Sequence, residues 1–211
     1  MSRSVGKFLG IGVMALLFAT PARAAAVIDF GTGDAGVGGT FTLTGGGNAT
    51  GAGIPIDALT VINTPGCPSG CVYDVTGTAP DVSDPNGSAS LDFNTSTNTV
   101  TITGGIPTLG IANGTVLLSG SFSSWVADVN GLHSAAGPDT KSPLLLSALG
   151  LPTDTKFAFF GFSLTTNSTS PDSIISTDFR NTSVPEPGSM FLLGSGLIGL
   201  SGAVRRRFGK K

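Results

Sequence analysis

The chain predicts an all-β fold, an antiparallel β-sandwich or barrel-like ectodomain, on three observations. Its 211 residues include 32 glycines and abundant threonine, serine and asparagine, a composition that interrupts long helices and suits strands and turns. Short runs alternate apolar and polar residues with period two, the spacing of a half-buried strand. Gly, Pro, Asn and Asp separate those runs at short intervals, as tight turns require.

The elements follow in order. Phe41 and Leu43 alternate with threonines, Leu59 and Val61 form a similar run, and Val72–Thr78 reads as a third strand. Ala89–Phe93 and Thr99–Thr103 alternate cleanly on either side of the turn residues Asn94–Asn98. This pair is the best hairpin signal in the chain, with Leu91, Phe93, Val100 and Ile102 as its core contacts. Val116–Phe122 and Ala158–Leu164 add two strands; in the second, Ala158, Phe160, Phe162 and Leu164 share a face. A final strand holds Ile175 and Phe179. One short helix is expected: Ser142 caps it, Pro143 suits its first position, Leu144–Leu149 fill two turns and Gly150 ends it. No convincing internal repeat favours a solenoid.

Both ends read as addresses. Arg3 and Lys7 precede the apolar stretch Phe8–Ala19, and Ala22-Arg23-Ala24 offers a small-x-small cleavage site. That layout is a secretory signal peptide over residues 1–24, cut after Ala24 or one or two residues later. At the other end, Pro185-Glu186-Pro187 leads into the uncharged run Gly188–Val204. Its length falls at the short end of the roughly 17–25 residues that span a bilayer. Arg205, Arg206 and Arg207 follow, then Lys210 and Lys211, and such a basic end stays in the cytoplasm. Residues 25–183 are therefore an exported β-rich domain. Residues 184–211 are a tail with a transmembrane helix at 188–204 and a basic end at 205–211.

Glu186 is the only glutamate in the chain. The prolines on either side keep it extended and unpaired, the form in which a peptide enters an enzyme cleft. A plain anchor needs no such acid. The ordered tail resembles the PEP-CTERM sorting tail of Gram-negative bacteria, whose proteins are handed to the membrane transpeptidase exosortase. The resemblance covers about an eighth of the chain. Gly188-Ser189 stands where Ser-Thr commonly follows the motif, and Phe208-Gly209-Lys210-Lys211 extends past the usual ending. The resemblance implies exosortase as a transient partner and an inner-membrane intermediate with the domain in the periplasm. It further implies release or attachment at the cell surface or extracellular matrix, in association with exopolysaccharide or biofilm.

Charge narrows the function of the exported part. Eight of the eleven basic residues lie in the two terminal signals, leaving Lys141, Lys156 and Arg180 against twelve aspartates, a net charge of −9. Such a surface repels phosphate backbones, which excludes nucleic acid as a partner. Asp81–Gly87 has Asp84, Asn86 and Gly87 in phase with a calcium loop, but Val82 and Phe93 occupy ligand positions. It reads as a turn, and neither a metal nor a cofactor is expected. Cys67 and Cys71 are the only thiols; in an oxidising exported compartment they are expected to form a disulfide that pins one turn.

His133 is the lone histidine, so any His-based hydrolase must use it, yet no Gly-x-Ser-x-Gly elbow is present. It is expected to lie in an exposed loop. Trp125 is expected in the core or a satellite cluster. Six Asn-x-Ser/Thr triplets, at Asn48, Asn86, Asn94, Asn113, Asn167 and Asn181, read as turn composition. The expected domain is a non-catalytic structural or adhesive module. A carbohydrate-binding module is the alternative and needs Trp125, Tyr73 and aspartates exposed in one groove. A hydrolase using His133 or paired aspartates is the third reading.

Overall fold

Alternating sequence becomes strand throughout the exported part. The computed structural model describes residues 25–32, 38–79, 87–127, 132–167, 170–183 and 195–196. Ala22, Ala24, Pro185, Glu186, Pro187 and Arg205–Arg207 lie outside the described residues, as does the calcium-like turn up to Asn86. So does the span expected at 188–204, apart from helical Ser195 and Gly196. Among the described residues no helix is long and apolar enough to cross a membrane. The chain divides into two units, one of Met1–Ala24 with Pro185–Lys211 and one of Ala25–Val184. All the strands belong to the second unit.

The first sheet contains β1 (Val27–Gly31), β4 (Ala58–Ile62), β5 (Cys71–Asp74), β10 (Ser124–Ala127), β11 (Leu132–Gly137), β13 (Phe157–Asn167) and β14 (Ser170–Ser183). Its order is β10-β11-β13-β14-β1-β4-β5, antiparallel throughout. The second sheet contains β2 (Thr40–Thr44), β3 (Asn48–Ile56), β6 (Thr76–Ala79), β7 (Ser88–Asn94), β8 (Thr99–Ile106), β9 (Ile111–Ser121) and β12 (Asp139–Lys141). Its order is β12-β9-β8-β6-β7-β3-β2, with β7 and β8 also paired directly. Among the described residues neither sheet closes on itself, so the sandwich, not the barrel, is the architecture.

The predicted hairpin forms in the predicted register. Leu91 faces Ile102, Phe93 faces Val100, and Asn94 faces Thr99. All four apolar residues are buried. Asn94 closes the turn by accepting the Ser96 and Thr97 amides at 2.9 and 3.3 Å. Asn98 takes a left-handed φ of 56°, which asparagine tolerates better than most residues.

Two expectations are corrected. Val72–Thr78 is not one strand: β5 lies on the edge of the first sheet and β6 belongs to the second. Val75 makes the crossing, fully buried, with its amide donating to the Asp57 carbonyl at 2.8 Å. The chain stays extended as it changes sheets, so its alternation cannot reveal the break. Leu43 is 52% exposed although Phe41 is buried. They sit on β2, the outermost strand of its sheet, where cover runs out toward the strand's end.

The helix α1 (Pro143–Ala148) forms as expected, with Ser142 at its N-cap position but no capping bond from the hydroxyl. The Ser142 amide instead donates to the Leu117 carbonyl of β9 at 2.9 Å. Gly150, at φ 72°, closes the other end. The Gly150 amide reaches the Ser147 carbonyl at 3.0 Å and the Leu151 amide reaches the Leu146 carbonyl at 2.8 Å. This is the paired-bond Schellman ending that selects glycine.

Phe160, Phe162 and Leu164 of β13 face inward and are buried. They join Ile28, Phe30, Leu59 and Val61 from the first sheet, and Ile54, Leu91, Ile102 and Leu118 from the second, in one apolar cluster. Phe93 meets Phe162 across the layer with ring centroids 5.4 Å apart, and Phe122 meets Phe160 at 5.8 Å. Leu91→Ala or Ile102→Ala should each destabilise the domain by about 2–5 kcal/mol. Leu43→Ala should stay within about 0.5 kcal/mol of wild type, as an exposed substitution does. Urea unfolding midpoints check both, and an equal loss at Leu43 would contradict the described burial.

Candidate functional site

A polar site interrupts this apolar layer. In β12, Asp139-Thr140-Lys141 places its two charged residues on one face by strand periodicity. The strand pairs with β9, setting Lys141 opposite the buried Leu118 and Asp139 opposite Gly120. A Cβ at position 120 would stand 3.0 Å from Asp139 Cβ and 3.2 Å from the Phe160 ring. Glycine there leaves space for the aspartate. From the opposing sheet comes Asn181 of β14, paired with Ile28 on one side and Phe160 on the other. Lys141 and Asn181 are buried, and Asp139, partly exposed along its backbone, keeps its side chain enclosed.

The three polar side chains close a ring. Lys141 Nζ donates to Asn181 Oδ1 at 2.7 Å, and Asn181 Nδ2 donates to Asp139 Oδ1 at 2.8 Å. Lys141 Nζ also forms an ion pair with Asp139 Oδ2. The lysine and aspartate side chains are fully enclosed, and Nζ lies 4.6 Å from the centroid of the Phe157 ring. Burial pushes the Lys141 amine down from 10.5 to about 8, with Asp139 opposing the shift. Burial likewise raises the Asp139 carboxyl above its ordinary 3.8, opposed by the Lys141 charge and the hydrogen bonds from Lys141 and Asn181. Removing water disfavours both charges, so the neutral amine and neutral acid become accessible together.

The residues singled out from sequence are dispersed. Cys67 and Cys71 stand at disulfide distance, with Cα atoms 5.9 Å apart. Thr64 and Cys67 exchange backbone hydrogen bonds at 3.0 and 3.3 Å in the same turn. His133 is not in an exposed loop: it lies in β11, only 2% exposed. Its ring is 4.7 Å from Phe41 and stacks on Trp125 at 5.8 Å. The alternation of β11 turns Leu132 outward and His133 inward, since the slot between two flat rings admits an imidazole.

Trp125 is partly buried against the core, and its indole N–H donates to the Gly47 carbonyl at 3.0 Å. Tyr73 lies on β5, the opposite edge of the same sheet from Trp125 on β10. Six strand spacings separate the two, roughly 29 Å at about 4.8 Å each. The single groove required for sugar stacking is therefore not assembled from them. Asp92 is engaged internally, accepting the Gly53 amide at 3.0 Å and the Ser90 hydroxyl at 2.6 Å. Asn181, one of the six glycan triplets, is buried at 0% exposure and closed to a glycan in the folded domain.

The Asp139–Lys141–Asn181 ring was not anticipated from sequence. Its one local signal is an Asp-x-Lys pair containing one of only three basic residues in the exported part. Asn181 is indistinguishable from the other asparagines until the sheets come together.

The fold is an antiparallel β-sandwich that ends at Ser183, directly before the tail. The family model for the PEP-CTERM protein-sorting motif matches residues 183–207. The motif indicates an exported protein targeted to exosortase, with a membrane-anchored intermediate before cleavage. The match begins at Ser183, the last residue of β14. No curated protein and no solved structure matches the chain.

Truncating one member of an enclosed ion pair strands its partner's charge. Asp139→Ala should therefore lower stability by about 3–5 kcal/mol, whereas replacing both charges by Asp139→Leu with Lys141→Met should recover much of that loss. Denaturant unfolding of the wild type and the two variants checks this. A single variant as stable as wild type would contradict the enclosed pair.

Proposed function

We propose that the chain is an exosortase-processed surface or matrix protein whose sandwich serves as a non-catalytic structural or adhesive module. The observation that carries the reading is the sorting-motif match, which starts where β14 ends. Two residues available to hydrolytic chemistry are committed to the interior. His133 is stacked between Phe41 and Trp125, and Asp139 is held by Lys141 and Asn181. Such commitments support a load-bearing or displaying domain over a hydrolase, and the distance between Trp125 and Tyr73 weighs against the sugar-binding alternative.

On this reading the domain is exported to the periplasm of a Gram-negative bacterium and held at the inner membrane by the span at 188–204. Exosortase engages it transiently, and the mature domain joins the cell surface or an exopolysaccharide matrix. Glu186 is the residue presented for recognition, and Arg205–Arg207 hold the substrate until it is cut. Glu186→Ala should leave export intact and stop maturation, so that uncut protein accumulates in the inner membrane. Fractionation and immunoblotting in a host with exosortase check this. Equal size and distribution of wild type and variant would defeat the sorting reading, because one exposed carboxylate contributes little to anchoring.

A further inference from the structure

The Asp139–Lys141–Asn181 site contains more chemistry than packing requires. A buried primary amine rests 2.7 Å from the oxygen of a carboxamide. One carboxyl group touches both partners, taking the amide N–H on one oxygen and the amine on the other. The side chains are sealed from water, with Phe157 over the amine. We propose that this site forms an intramolecular isopeptide bond between Lys141 Nζ and Asn181 Cγ, with Asp139 as the proton-transfer group.

The step balances without any outside reagent. Lys141 first passes a proton to Asp139, leaving a neutral amine beside a carboxylic acid. The Nζ lone pair attacks Asn181 Cγ, forming the new C–N bond and moving the carbonyl pair onto Oδ1. Asp139 takes a proton from the attacking nitrogen and gives one to Nδ2. The carbonyl then reforms, the Cγ–Nδ2 bond breaks and ammonia leaves. Amine plus carboxamide becomes a secondary amide plus ammonia, and the carboxyl group is regenerated.

Each requirement has a physical source in the fold. Fixing the two groups in contact makes the reaction effectively unimolecular and removes most of its entropic cost. Burial moves the Lys141 amine toward its neutral form, from 10.5 down to about 8, and Asp139 lies in contact to take the proton it gives up. Exclusion of water removes the competing nucleophile that would hydrolyse the Asn181 carboxamide to a carboxylate. Gly120 provides the space that seats the carboxyl group.

The product would join the two sheets covalently. Lys141 belongs to the second sheet and Asn181 to the first, 40 residues apart in sequence. Closing that loop constrains the unfolded chain as a disulfide does, but the bond is indifferent to reductant. Asn181 is two residues before Ser183, where the sorting match begins. Tension entering from the tail would meet the cross-link before it could peel β14. The bond forms whether or not the tail is cut, so its test is separate from that of sorting.

The experiment is a proteolytic peptide map with tandem mass spectrometry of the full chain, purified in folded form after export from a bacterial host. The expected result is one branched peptide joining the Lys141 and Asn181 segments, lighter by one ammonia than the two separate peptides combined. Lys141→Arg should abolish the branch, because a guanidinium stays protonated. Asp139→Asn should retain both reacting groups yet leave them unlinked. Recovery of both segments as ordinary linear peptides from folded wild-type protein would overturn the proposal, whatever the variants do. A branch that persists in Asp139→Asn would overturn the role given to the carboxyl group.

Discussion

Two sheets must hide their apolar faces on each other, and that mutual cover is the constraint on which the rest of this structure depends. The layer between them runs from Ile28 and Phe30 to Leu91 and Ile102, with Phe93, Phe122, Phe160 and Phe162 in contact through their rings. Burial of apolar surface at about 25 cal/mol per Å² offsets the entropy lost in ordering the strands. Only three basic side chains are available between Ala25 and Val184, and a charge cannot enter this layer unpaired. Lys141 enters only because Asp139 and Asn181 satisfy it.

That exception connects fold to function. An enclosed ion pair rarely stabilises a protein more than apolar residues of the same volume would. Its retention here makes sense if the groups react rather than merely attract. The pair meets Asn181 across the sheet interface, on the last strand before the tail. Export removes the protein from the cytosolic reducing environment, so Cys67 and Cys71 can act on one local turn while the larger tie falls to side chains that need no oxidant.

Much of the fold was legible because alternation and turn chemistry are local. The 89–103 hairpin, the Pro143–Ala148 helix and its Gly150 ending depend on neighbours within a few residues, and each forms as read. Val75 escaped because an extended chain alternates identically whether it continues in one sheet or crosses to the other. His133 escaped because its slot is made by Phe41 and Trp125, residues on two different strands. The Asp139–Lys141–Asn181 ring is less legible still, since its members meet only when β12 and β14 are brought together. The tail was the opposite case. Its address is written in composition and order, with no need of a folded partner.

As proposed, the sandwich is exported and then cut free of its tail. Mass spectrometry of both termini of the mature protein from a host with exosortase tests it most directly. The account predicts a chain that begins between Ala25 and Val27 and ends near Pro185-Glu186-Pro187, without the Gly188–Val204 segment or the arginines beyond it. A mature chain still ending at Lys211 would contradict it.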